Sequence, residues 1–227
     1  MWPLYTAMVL APIIAIVAWW VVSMDRVDDE ALAKVAAARG WVASPHRDER
    51  EEGVALRPGD GSWTLLVTRR TSKSTEVTSR SGGLRTLWTA AIKSPSGVLA
   101  VRAGPPPVGP LAPPPSMLAP LLARAIEEMT GAPAGDVGSL STLARIETGD
   151  PRLDGAHMVF ANEPAFADWL ATAAQRDAVL AATATGAAVI VSPTGLRLAI
   201  AGKALADGAQ IDAIVKAGTA LRRVWGG

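Results

Sequence analysis

Two histidines, His46 and His157, and no cysteine make up this chain's stock of imidazole and thiol chemistry. Hydrolysis through a Ser-His-Asp relay would set one imidazole beside an exposed serine, and no G-x-S-x-G elbow occurs. His157 falls in the apolar run HMVFA, where a structural histidine with satisfied nitrogens is expected rather than a base. His46 lies in the charged stretch SPHRDEREEG and is expected to be solvated. Without cysteine there is no disulfide, no thiolate zinc site and no thiol nucleophile.

Carboxylates are the remaining source of chemistry, and each group has a structural explanation. Asp28, Asp29 and Glu30 open a helical pattern, where negative charge complements the helix dipole. GDPRLDG, from Gly149 to Gly155, offers Asp150 and Asp154 to a calcium ion, but an EF-hand needs more ligands and a bidentate glutamate at its twelfth position. A turn held by aspartate side chains is expected there. Glu127 and Glu128 end an amphipathic run and read as a solvated face. No G-x-x-x-x-G-K-[ST] loop is present, and GAPAGDVG at Gly131 to Gly138 follows no strand. The sequence therefore predicts no catalytic, cofactor-binding or metal-binding residue and a protein that is not an enzyme.

The elements behind these residues read as α+β. DDEALAKVAAARG predicts a helix with Leu32, Val35 and Ala36 on one side, stopping at Gly40 and continuing the segment before it. SPHRDEREEG reads as a loop. Strands are expected around Val54, from Trp63, from Ser74 (STEVTSR), from Leu84 and from Gly97, with turn residues at Asp60-Gly61, Gly82-Gly83 and Ser94, which describes an antiparallel meander. GPPPVGPLAPPPS, Gly104 to Ser116, holds seven prolines and predicts a stiff polyproline connector. MLAPLLARAIEEMTG reads as a helix. Beyond it a β-α-β-β-α unit is expected. HMVFA is its first strand; a helix capped by Asn162 carries Phe166, Trp169, Leu170 and Ala173. A hairpin turns at SPTG, and a last helix is capped by Asp207 with a stripe of Ile211, Ile214, Val215 and Leu221. The expected divisions are 1–24, 25–103, 104–116 and 117–227.

The first division decides the setting. Met1 to Met24 carries no charged side chain. Trp2 to Trp20 would cover roughly 27 Å as a helix, close to the hydrocarbon thickness of a bilayer. Trp2 and Tyr5 at one end, with Trp19 and Trp20 at the other, match the aromatic belts of a membrane-spanning helix. A cleaved signal is disfavoured by the length of the run, the missing basic start and the bulky Trp19-Trp20 pair. Arg26, Lys34 and Arg39 all follow the span, so the positive-inside rule places the domain in the cytoplasm. Ala7, Ala11, Ala15 and Ala18 recur at three- or four-residue intervals and would let another helix approach closely. The net charge of +1 argues against a nucleic-acid partner. Arg69, Arg70, Lys73, Arg80 and Arg85 gather in one region and read as a solvated strand face.

The order of a membrane helix, ARGW at Ala38 to Trp41, TLWTA at Thr86, ETGDPRLDGAHMVFANEPAFADWL at Glu147 to Leu170, and GLRLAIAG resembles a loose set of uncharacterised bacterial membrane-anchored proteins. The resemblance implies one N-terminal span in the inner membrane and a cytoplasm-facing domain of unknown activity. The expectation is a non-catalytic accessory or scaffolding subunit of a larger membrane protein complex, with the lipid bilayer and that complex as partners. The alternative is a solitary anchored enzyme or ligand sensor with a pocket between its two halves.

Overall fold

The computed structural model describes residues 27–48, 51–70, 83–93, 98–104, 144–161 and 169–226. The expected span with Trp2, Tyr5, Trp19, Trp20 and the Ala7, Ala11, Ala15, Ala18 stripe lies outside them. So do the strand expected from Ser74, the proline tract, the helix around Glu127-Glu128, and the Asn162 cap. Among the described residues no helix is long and apolar enough to cross a membrane.

The fold is α+β. Helix α1 is Asp29–Ala38, and strands β1 to β5 are Val42–Arg47, Glu51–Arg57, Thr64–Arg70, Leu84–Ala90 and Leu99–Ala103. There follow β6 Ala144–Arg145, the short helix α2 Pro151–Asp154, β7 His157–Ala161 and α3 Ala173–Thr183. Strands β8 Ala188–Ser192 and β9 Gly195–Ala201 and helix α4 Gly208–Val224 complete it. All nine strands join one sheet in the order β1-β2-β3-β4-β9-β8-β5-β7-β6, every described neighbour antiparallel.

Strands β2, β3 and β4 belong to the expected meander and β1 adds to it from a stretch read as a loop, but β5 does not extend it. β9 takes the place beside β4, with Arg85 to Ala90 opposite Ala201 to Leu196. The two strand-bearing sections are thus halves of one sheet. Registers line up Leu65, Trp88, Leu198, Val189, Val101 and Val159 across six strands on one face. All six are nearly inaccessible to solvent, and α1, α3 and α4 bury Leu32, Ala36, Val179, Ala182, Ile211, Ile214 and Leu221 in the same core. The α4 stripe is as the sequence predicts, with Val215 partly buried at its margin.

Three boundaries differ from the reading of the sequence. Most of SPHRDEREEG is strand rather than loop: β1 is an edge strand whose positions are half-buried or exposed and none fully buried, so it needs no apolar pattern and tolerates Pro45. Helix α1 does not run on from the segment before it; the Asp28 side chain accepts the Ala31 N–H at 2.9 Å and the Asp28 backbone is not helical, so a new helix starts at Asp29. The run expected to carry Trp169, Leu170 and Ala173 in one helix is interrupted after Leu170, and α3 starts at Ala173, where Thr172 and Gln175 close a reciprocal capping box.

Candidate functional site

The ARGW element is a helix stop and a clamp. Arg39 caps α1, Gly40 takes φ +68°, and the N–H groups of Gly40 and Trp41 return to the carbonyls of Ala37 and Ala36 at 3.3 and 2.9 Å, a Schellman closure that glycine suits. The reversal turns Trp41 edge-on to Trp63, ring centroids 4.9 Å apart, with the Arg39 guanidinium 5.7 Å above Trp41. The same guanidinium forks onto both carboxylate oxygens of Asp212 and donates to the Gly208 carbonyl at 3.3 Å, both on α4, and to Val35 at 3.2 Å on its own helix. Asp212 is held below the ordinary carboxylate range by its hydrogen bonds from Arg39. One side chain so joins the first described helix to the last. With Arg39→Ala, amides of α1 should exchange with deuterium faster while those of β7, near the other end of the sheet, keep their wild-type rates.

A second polar group surrounds GDPRLDG. The Asp150 carboxylate caps α2 through the Arg152 N–H at 3.0 Å and receives the Arg152 guanidinium at 3.1 and 2.7 Å. Arg176 Nε lies 3.2 Å away, and Arg152 continues to Asp177 at 2.9 Å. Asp154 accepts from Thr148 N–H and hydroxyl and from Gly149 N–H at 2.8–2.9 Å. This is the aspartate-held turn the sequence predicts, tied by arginines to α3.

The Arg152 fork, then the Arg152 backbone N–H, push the Asp150 pKa from 3.8 down to about 2. The lowered value favours the ionised carboxylate in the folded state. Its contribution is complete above about pH 4 and is lost as pH falls toward 2. Asp150→Asn should therefore lower the urea midpoint at pH 7, and its deficit against wild type should shrink between pH 4 and 2; a constant deficit would contradict the assignment.

His157 is buried on β7 with both nitrogens engaged. Nδ1 faces the Arg152 carbonyl at 3.2 Å and Nε2 the Thr183 hydroxyl at 2.9 Å, while that hydroxyl also reaches the Val179 and Leu180 carbonyls at 3.1 Å. Thr183 is 3% exposed, so substrate has no access to this hydroxyl–imidazole pair, and the expectation of a structural histidine is met.

The third group is one the sequence does not suggest. At the β1–β2 hairpin, His46, Asp48 and Glu51 bring one donor atom each to within 4.8 Å of one another. Glu51 is buried; its Oε2 accepts from Arg85 Nη2 at 2.6 Å and from the Thr68 hydroxyl at 3.1 Å. On the opposite face Glu52 holds Arg69 at 2.5 Å and lies 3.6 Å from Arg47, and the Arg69 hydrogen bond, first among its causes, lowers the Glu52 pKa. Arg69 and Arg85, expected on a solvated basic face, are each tied to a β2 carboxylate. A groove of about 450 Å³ opens here between Val27, Asp29, Pro45, His46, Glu52 and Arg69. His46 is therefore not simply solvated: 28% of its side chain is exposed. The signal that could have disclosed this group is the H-x-D-x-x-E spacing, legible only once residues 46 and 51 are known to flank a hairpin.

No family model matches the chain, and no curated protein matches it. Among solved structures, that of the mycobacterial trehalose monomycolate transport factor A, TtfA, is similar with a TM-score of 0.48 and 10% identity, covering 86% of this chain and 93% of that one.

Proposed function

We propose that the chain is a single-pass, non-catalytic accessory or scaffolding subunit of a larger membrane protein complex, anchored in a bacterial inner membrane with its domain in the cytoplasm. The observation that supports this reading is the capture of α1 by the domain. The apolar stretch ends at Met24 and α1 begins at Asp29, five residue steps that reach at most about 18 Å. Within the next turns Leu32 and Ala36 are buried in the core and Arg39 is clamped to α4. A domain so attached keeps a fixed height over the bilayer, which suits a subunit that presents one surface to a membrane neighbour. An enzyme that samples a diffusing substrate gains nothing from it. The alternative of a pocket between two halves draws no support from the described residues, where those halves meet by continuous β4–β9 backbone pairing.

Replacing Ala11 and Ala15 by leucine tests the reading. Leucine is as compatible with lipid as alanine, so insertion should persist, while the closer approach that small residues allow is lost. The variant should stay in the membrane fraction and lose its partners on purification in mild detergent; Ile13→Leu with Ile14→Leu, equal in volume, should keep them. A wild-type chain that purifies alone and monomeric would overturn the proposal.

A further inference from the structure

We propose that the β1–β2 hairpin binds a divalent metal ion between His46, Asp48 and Glu51, a site that does not depend on the membrane reading. His46 Nε2 and Asp48 Oδ2 stand 3.6 Å apart. That is too long for a hydrogen bond. It is close to the separation of roughly 3.4 Å between two ligands that share one tetrahedral ion at bond lengths of about 2.1 Å. The hairpin is already built around these groups. Asp48 Oδ1 accepts the Glu51 N–H at 2.6 Å, and the Asp48 N–H returns to the Glu51 carbonyl at 2.9 Å, which aims Oδ2 at the imidazole. Gly53 stands opposite His46 in the register, where a Cβ would meet the Val67 carbonyl oxygen of β3 at 2.1 Å. Arg85 and Thr68 hold the Glu51 carboxylate from the sheet side, the kind of outer partner that orients a ligating group.

The donor set names the class of ion. One imidazole nitrogen and two carboxylate oxygens, with no thiolate, suit a first-row ion such as Zn²⁺ or Mn²⁺ better than Cu⁺, and the imidazole sets the site apart from the all-oxygen cages of Ca²⁺. Three protein ligands leave at least one position for water.

The test is calorimetric titration of ZnCl₂ into the full-length chain in detergent, freed of metal with EDTA and carrying no polyhistidine tag. One ion per chain is expected, with affinity reduced at least ~10-fold by His46→Ala and by Asp48→Asn and unchanged by His157→Ala. A second measurement needs no variant. The chain has only two imidazoles, so long-range ¹H–¹⁵N spectra should show Nε2 of His46 shift on zinc saturation and both nitrogens of His157 stay in place. No heat of binding, unchanged affinity in both His46→Ala and Asp48→Asn, or a spectrum in which His46 does not move would overturn the site.

Discussion

Gly218→Ala should destabilise the protein, although alanine is the better helix former. Gly218 sits within α4 directly over Trp88, and a Cβ there would lie 2.5 Å from Trp88 Cδ2 and 2.6 Å from Cε2 and Cε3. Carbon atoms do not approach so closely, and the obstacle is a rigid indole, fully buried and flanked across the sheet by Leu65 and Leu198. Alanine gains about 1 kcal/mol in helix propensity. Overpacking of a filled core costs about 1–3 kcal/mol, and a clash against three ring atoms belongs at the upper end of that range. A net loss of about 1–2 kcal/mol is therefore expected in chemical denaturation, and Gly218→Val should lose more. The diagnostic variant is Gly218→Ala with Trp88→Leu. Trp88→Leu alone opens a cavity and should be costly, but with the indole gone the added methyl enters empty space, so the two changes should combine at least ~1 kcal/mol more favourably than their sum. Strict additivity would show that α4 can lift off the sheet without penalty.

The same contact shows what can be read from this sequence. β3, β4, β8 and β9 announce themselves because their neighbours on the sheet are buried, so apolar residues recur at the spacing of a strand. α4 announces itself through Asp207, whose side chain accepts the Ala209 N–H at 2.7 Å, and through Ile211, Ile214 and Leu221. β1 does not, because an edge strand has one bonded neighbour and half-exposed side chains, and a charged sequence satisfies it as well as an apolar one. Pairing of β4 with β9 joins residues more than a hundred positions apart, and no local pattern encodes which strand will fill that place. The Arg39–Asp212 clamp spans 173 positions for the same reason: ARGW discloses a helix stop, and only the fold discloses its partner. The hairpin group sits between these cases. His46, Asp48 and Glu51 are five residues apart end to end, yet as a solvated loop they have no common geometry. The strand pairing of Arg47 with Glu52 is what brings them together.

Glu51→Ala should be among the most damaging single changes on the sheet, and its measurement belongs in EDTA so that no metal contributes. Glu51 and Arg85 leave only 9% and 15% of their side chains exposed, and their 2.6 Å contact lies where water screens little. Removing the carboxylate takes from the guanidinium a close carboxylate contact and from the Thr68 hydroxyl an acceptor. Breaking a buried pair by deleting one partner costs about 3–5 kcal/mol. Because Arg85 keeps a partial route to solvent, about 2–4 kcal/mol is expected here. Glu51→Gln keeps the shape and an acceptor for Thr68, and should fall between wild type and Glu51→Ala, which separates loss of charge from loss of packing. The decisive construction is Glu51→Leu with Arg85→Met, in which both charges leave together and similar volumes remain. Desolvation of two ions offsets most of their attraction, so the double variant should recover most of the stability that either single change removes. If the double variant is as unstable as the sum of the singles, the pair acts through separate contacts and the charge argument fails. If Glu51→Ala alone costs less than about 0.5 kcal/mol, the carboxylate is replaced there by water, as at an exposed surface pair.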